Sequence, residues 1–183
     1  MSESTEKHKA QAPTKLRFGI FTVSTSRYYQ SEKNQEMEDV SGGIIENSLK
    51  SNGHEIVMKK LIPDDPVMIE KTLKQALALE KLDVAVFCGG TGIAPSDVTI
   101  ETVTPLLQKA LPGFGEIFRR LSYDEIGSGA VLSRATAGIA NGKAVFCLPG
   151  SPNAVRLCMQ KLILPEAPHI VKHTRERTSN VSV

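Results

Sequence analysis

Residues 83–99 read Asp83-Val84-Ala85-Val86-Phe87-Cys88-Gly89-Gly90-Thr91-Gly92-Ile93-Ala94-Pro95-Ser96-Asp97-Val98-Thr99, and the reading of the fold turns on them. Val84 to Cys88 is a short apolar run without polar alternation, the pattern of a strand buried on both faces in the middle of a parallel sheet. The run stops at Gly89-Gly90-Thr91-Gly92. Three glycines in four positions allow positive φ and bring main-chain N–H groups close to a ligand. A glycine-rich turn between a buried strand and a helix is a common phosphate cradle; the same residues also suit a plain tight turn. Asp97 likewise has two readings, a helix N-cap or a carboxylate that holds a metal ion over that phosphate.

Outward from this stretch, the chain of 183 residues has the length of one domain. Its composition, 40% hydrophobic and 23% charged with no Trp, is that of a soluble globular protein. A formal net charge of +2 argues neither for nor against nucleic acid, and no nucleic-acid or membrane partner is expected. No apolar run approaches the ~20 residues that span a bilayer, and the N-terminal residues lack the apolar segment of a signal peptide. Cys88, Cys147 and Cys158, odd in number and each in an apolar context, read as reduced core thiols of a cytoplasmic protein.

Residues 1–15 are polar and aperiodic and are expected to be a flexible tail, as are residues 173–183 at the other end. Residues 16–172 are expected to be the folded domain. Leu16 to Val23 reads as the first strand, followed by Ser24-Thr25-Ser26-Arg27, and Tyr28 to Glu38 as a polar loop. Val40, Ile44, Ile45 and Leu49 mark a helix that Asn52-Gly53 closes. A strand centred on Ile56-Val57-Met58 leads to Pro63-Asp64-Asp65-Pro66, where the aspartates suit helix capping, and to a helix carrying Ile69, Leu73, Ala76 and Leu77. After the glycine loop, Ile100, Val103, Leu107 and Leu111 give a helical face interrupted near Pro105. Pro112 to Glu116 breaks it, Ile117 to Ser122 is a short helical piece, and Tyr123 to Ser133 has no clear pattern. Asn141-Gly142 is a two-residue hairpin signal between Ala135–Ala140 and Lys143–Leu148. That last strand ends in Pro149-Gly150-Ser151-Pro152-Asn153 before another helix.

Strands alternating with helices, plus one hairpin, give a three-layer α/β/α sandwich on a mostly parallel sheet with an antiparallel member. The crossover rule then gathers three polar strand ends on one edge: Ser24 to Ser26, Gly89 to Asp97, and Gly150 to Asn153. The glycine loop is not a Walker loop, because no Gly-Lys-Ser/Thr follows, and it lacks the third glycine of a Rossmann fingerprint. Ser151 is not in a nucleophile elbow. His8, His54, His169 and His173 are scattered, so no histidine triad or zinc site is legible. Positioning and metal electrostatics fit better than covalent catalysis.

Three motifs in order, Gly89-Gly90-Thr91-Gly92 with Asp97-Val98-Thr99, Pro112-Gly113-Phe114-Gly115-Glu116, and Leu148-Pro149-Gly150-Ser151-Pro152-Asn153-Ala154, resemble the molybdopterin-binding family. That family includes the MoaB and Mog proteins and the gephyrin and plant G domains. Arg119 to Ser128 is most similar to its MoaB branch. The resemblance runs from about Leu16 to Lys172 and implies the molybdopterin-binding-domain fold and a cytoplasmic homotrimer or homohexamer. It implies an enzyme that binds molybdopterin and transfers AMP from Mg-ATP to its terminal phosphate, releasing pyrophosphate. It places catalytic acidic groups at Asp64 and Asp97, the latter with Mg²⁺, and ligand contacts at Ser24, Ser41, Gly89, Gly90, Thr91, Gly92, Pro149, Gly150, Ser151 and Asn153. Many members carry Ser-Asp-Arg after the first strand; here Ser24-Thr25-Ser26-Arg27 lacks the Asp and displaces the Arg by one. A non-catalytic pterin carrier and a scaffold are the alternatives to the adenylyltransferase.

Overall fold

Val84–Cys88 forms strand β3, and every residue of it is buried. The structure, a computed structural model describing residues 13–33 and 38–176, places β3 between β1 (Arg17–Val23) and β6 (Lys143–Leu148), both parallel to it. On the far side of β1 lies parallel β2 (Glu55–Ile62). Beyond β6, β5 (Thr136–Ala140) runs antiparallel and pairs with the two-residue β4 (Lys109–Ala110). The order is β2-β1-β3-β6-β5-β4, a mostly parallel sheet with β5 as the antiparallel member, as the strand pattern implied. Alternate residues of β3 serve two cores. Val84, Val86 and Cys88 pack with α2 (Val40–Ser51), α5 (Pro112–Ile126) and the C-terminal helical run; Ala85 and Phe87 pack with α3 (Pro66–Ala78) and α4 (Thr99–Val103). The C-terminal run is α6 (Pro152–Cys158), a wide π turn (Met159–Ile163) and α7 (Leu164–Arg175). Helices on both faces make the expected three layers.

The hairpin forms at Asn141-Gly142, with φ of 48° and 69°, the positive pair that matches the twist of the flanking strands. Other local expectations gave way to tertiary contacts. Thr25–Glu32 is a helix, α1, where a loop from Tyr28 was expected; residues 34–37 of that loop lie outside the described set. Ser24, at the N-cap of α1, makes no side-chain cap bond. Asp64 caps the helix from 39 positions away, accepting hydrogen bonds from the Thr25 N–H and Oγ1, both at 2.8 Å. The interruption expected at Pro105 is there: with no N–H to continue the ladder, α4 stops at Val103 in a 3₁₀ turn. Pro112 begins α5 rather than interrupting a helix, since the first turn needs no N–H from it. The unpatterned stretch ends in a 3₁₀ turn over Gly127–Leu132. The terminal stretches 1–12 and 177–183 fall outside the described residues. His173, Thr174 and Arg175, expected in the C-terminal tail, complete the last turn of α7.

That turn is held by Asp83, only 4% exposed. Its carboxylate accepts from the Arg17 N–H at 2.8 Å and from Arg17 Nε and Nη2 at 3.2 and 2.9 Å, and also from Arg175 Nη2. One buried charge thus ties the starts of β1 and β3 to the end of the chain's last helix. Burial alone would push its pKa up. The Arg17 hydrogen bonds and the charges of Arg175 and Arg17 outweigh that and hold the carboxyl below its ordinary value. A carboxyl with a depressed folded pKa contributes stability that is fully present above the unfolded pKa of about 3.9 and is lost as pH falls through the folded value. Asp83→Asn is therefore expected to cost about 2–3 kcal/mol near neutral pH and to flatten the loss of stability on acidification below about pH 4. Urea melts of both proteins from neutral to acid pH check it; an unchanged acid slope rejects the role.

Candidate active site

The parallel register sets the site. Thr22 is level with Cys88, and Cys88 with Leu148, so the chains leaving β1, β3 and β6 emerge side by side. The Gly89 N–H donates to Leu148 O at 3.0 Å and the Ser24 N–H to Ile62 O at 2.8 Å. Gly89 has φ of 109°, and a Cβ there would lie 2.2 Å from the Val23 carbonyl oxygen; only glycine lets these two strand ends approach so closely. Thr99, fully buried, folds the loop back: its Oγ1 donates to Gly89 O and its N–H to Gly90 O, both at 2.9 Å. A cleft of about 420 Å³ opens here. It sits where the strand order reverses, since β2 lies on one side of β1 and β3 on the other, the position at which open α/β sheets bind ligands.

Val23, Ser24 and Arg27 after β1, Asp64 after β2, Gly89 to Gly92 with Asp97 after β3, and Pro149 and Gly150 after β6 line it, together with Leu132, Ser133 and Arg134. Of the residues expected at the site, Ser24, Asp64, Gly89, Gly90, Thr91, Gly92, Asp97, Pro149 and Gly150 line it. Ser41, Ser151 and Asn153 do not. Ser41 is fully buried and its Oγ donates to Gly150 O at 2.7 Å, so it holds the turn rather than facing the cleft. Ser151 caps α6 through the Ala154 N–H, and Asn153 accepts from Arg156. Asp97 is not the helix cap: Val98 occupies that place in α4, and Asp97 Oδ2 accepts the Ala94 N–H at 2.9 Å, closing the loop.

Asp64 and Asp97 each commit one oxygen, Oδ2, to the protein. A phosphate ligand beside two carboxylates is repelled unless a cation lies between them. Magnesium takes oxygen ligands, typically one or two carboxylates with the rest from phosphates and water, and the remaining oxygens of this pair fit that donor set. Among the described residues no group of three or more His, Cys, Asp or Glu could hold a metal, so a cation here would depend on the ligand's own oxygens. Arg134 was missed from sequence. Its Nε donates to Thr91 O at 2.9 Å and its Nη atoms to Glu101 at 2.5 and 3.2 Å, and that contact holds the Glu101 carboxyl below its ordinary value. It clamps the glycine loop from 43 positions away, and it follows the unpatterned stretch, where no periodicity marked it.

Buried parallel strands, a glycine loop at the switch point and a cleft lined by two carboxylates and two arginines define an α/β protein with a polar pocket at its strand ends. Residues 19–169 match the family described as a probable molybdopterin binding domain, and the chain belongs to that family. It is 44% identical over 174 residues to molybdenum cofactor biosynthesis protein B of Bacillus subtilis, covering 94% of this chain and 98% of that one. It is 44% identical over 175 residues to the molybdopterin adenylyltransferase of Pyrococcus furiosus, covering 93% and 98%. A crystal structure of a molybdenum cofactor biosynthesis protein B superposes with a TM-score of 0.82 at 42% identity, over 91% of this chain and all of that one.

The close approach at Gly89 yields a direct test. Gly89→Ala combines a disfavoured positive φ with a clash against backbone, and is expected to destabilise by at least about 2 kcal/mol. Gly53→Ala, at φ 78° but with nothing within 4 Å of its Cβ, carries the φ strain alone and should cost less. Paired thermal melts compare them, and equal losses would show that the Val23 contact contributes nothing.

Proposed function

We propose that this chain adenylylates molybdopterin in molybdenum cofactor biosynthesis. A terminal phosphate oxygen of the pterin attacks the α-phosphorus of ATP. The bond from that phosphorus to the α–β bridging oxygen breaks, and pyrophosphate leaves with the bonding pair. The observation that carries the reading is the convergence of the glycine loop, Asp64, Asp97 and Arg134 in one cleft at the strand-order reversal. Gly90, Thr91 and Gly92 would offer main-chain N–H groups to phosphate, and Arg27 and Arg134 positive charge. In-line displacement needs the two phosphates held together and their charge offset, which is positioning and electrostatics rather than covalent catalysis. Asp97 and Asp64 would hold Mg²⁺, which would neutralise charge developing on the reacting phosphates. Ser24 lines the same cleft, while Ser41 holds the Gly150 carbonyl and Ser151 caps the helix that follows.

The same reading makes the protein a homotrimer or homohexamer in the cytoplasm. Ile117, Tyr123 and Ile126 of α5 and Val131 and Leu132 after it are all more than half exposed, an apolar surface that suits self-association. Light scattering at micromolar concentration is expected to give a multiple of the chain mass, and Val131→Asp to lower it; a monomer in both rejects the assembly. The setting agrees with three buried thiols, of which Cys88 is pushed by burial up to about 12. Among the described residues no helix is long and apolar enough to cross a membrane.

Asp97→Asn is the decisive variant. Its Oδ1 can still accept the Ala94 N–H, so melting should change little, but an amide is a poor magnesium ligand. Pterin affinity should be largely kept and pyrophosphate release should fall about 10²–10³-fold. Pterin titration and pyrophosphate release, run on both proteins, check it. Full turnover in the variant removes Asp97 from the mechanism, and pterin binding without turnover in the wild type favours the carrier.

A further inference from the structure

His169 and His173 lie one turn apart on α7, away from the cleft. Their Nε2 atoms face each other at 2.8 Å, with the rings tilted by 53° and their centroids 4.5 Å apart. The other nitrogen of each ring meets a carboxylate. His173 Nδ1 lies 3.0 Å from Glu176 Oε2, a hydrogen bond, and His169 Nδ1 lies 3.6 Å from Glu166 Oε2, an electrostatic contact. An ionised carboxylate only accepts, so the Glu176 bond favours the His173 tautomer with the proton on Nδ1. His173 Nε2 then carries a lone pair, with His169 Nε2 2.8 Å from it. With both Nε2 atoms unprotonated the two lone pairs would repel at this distance, so the contact holds a proton between the rings or, in its place, a metal ion.

Metal–imidazole bonds of about 2.0–2.1 Å separate the two nitrogens by about 2.9 Å when they meet at a right angle, and by about 3.3 Å at the tetrahedral angle usual for zinc; the 2.8 Å found matches the first and needs a small opening of the rings for the second. Ligating histidines characteristically give their other N–H to a carboxylate, which orients the ring and raises its basicity; His173 has that partner in Glu176, and Glu166 lies 3.6 Å from Nδ1 of His169. We propose that His169 and His173 bind a divalent cation of the zinc, nickel and copper class, with water completing its coordination. Imidazole ligands suit these ions, whereas magnesium and calcium prefer oxygen. His169 is 24% and His173 48% exposed at the side chain, so an ion can reach both. The ion would clip the last turn of α7, whose Arg175 anchors on Asp83. The site is separate from the adenylylation reading and does not rest on it.

The test uses the untagged full chain, stripped with chelator and titrated with zinc chloride at about pH 7.5, above the ordinary imidazole pKa. Calorimetry is expected to show one zinc per chain, with a raised melting temperature that magnesium does not reproduce. Cys88, Cys147 and Cys158 are buried and cannot compete. The double variant His169→Ala/His173→Ala should lose saturable binding while releasing pyrophosphate at the wild-type rate, and Glu176→Gln should weaken zinc about tenfold. Melting of the stripped double variant shows that it folds; if it does not, the double Gln variant, which keeps polar helix-compatible side chains, takes its place. Wild-type zinc affinity in the double variant, or no saturable binding at micromolar zinc in the wild type, overturns the site and leaves a shared proton as the content of the pair.

Discussion

The contact on which the rest depends is the one between two backbones, Gly89 against the carbonyl of Val23. A side chain at position 89 would hold the ends of β1 and β3 apart. Without that separation the loops after β1, β3 and β6 meet within one small volume, and the Gly150 backbone follows onto Gly89, where a Cβ at position 150 would lie 3.2 Å from its Cα. The buried strands supply the rigidity this requires. Phe87 and Phe21 stack at 4.7 Å beneath one face, and Val86, Phe146 and Phe18 fill the other. Burying one such aromatic is worth about 2–3 kcal/mol, so several together outweigh the ~1–3 kcal/mol of backbone strain that such a functional loop can carry.

Around this approach, polar side chains act mainly on the backbone. Thr99, Ser41 and Arg134 each bond a main-chain carbonyl of a loop that forms the cleft: Gly89, Gly150 and Thr91. Asp39 caps α2 through the Gly42 N–H and also accepts from Thr22 Oγ1 at 2.6 Å, fixing the helix start to the end of β1. Asp64 serves two ends at once. One oxygen caps α1 while the residue stands in the cleft wall. A carboxylate so held cannot swing freely toward a ligand. Positions that chemistry would use are thereby preorganised by bonds that also stabilise the fold.

The opposite edge of the sheet has its own anchor. Asp83 precedes β3 as the glycine loop follows it, so one strand carries a buried charge at one end and a ligand cradle at the other. Lys143 lies near, its Nζ donating to Leu79 O and Leu82 O at 3.0 and 2.9 Å, and burial pushes its pKa down. The Lys143 bonds fasten the helix-to-strand turn at Leu79–Leu82, and Asp83, through Arg175, fastens α7.

The layered α/β architecture and the converging strand ends were legible in the sequence, because both follow from local pattern. A five-residue apolar run with glycines after it can hardly be anything but a buried parallel strand and its turn, and Asn141-Gly142 announces its own hairpin. Motif order carried the family, and with it Asp64 and Asp97. What the sequence could not determine depends on partners far along the chain. Helix α1 forms because Asp64 caps it from 39 positions away, and nothing within Thr25–Glu32 signals that. Ser41 resembled a ligand contact until Gly150 came within its reach; Arg134 had no signal until Thr91 did. His169 and His173 looked scattered among four histidines, yet their spacing of four puts them on one helical face once α7 runs on to Arg175. Local pattern determines which elements form, and long-range hydrogen bonds decide where each side chain is used, because a polar group leaving water takes whichever partner the fold brings to it.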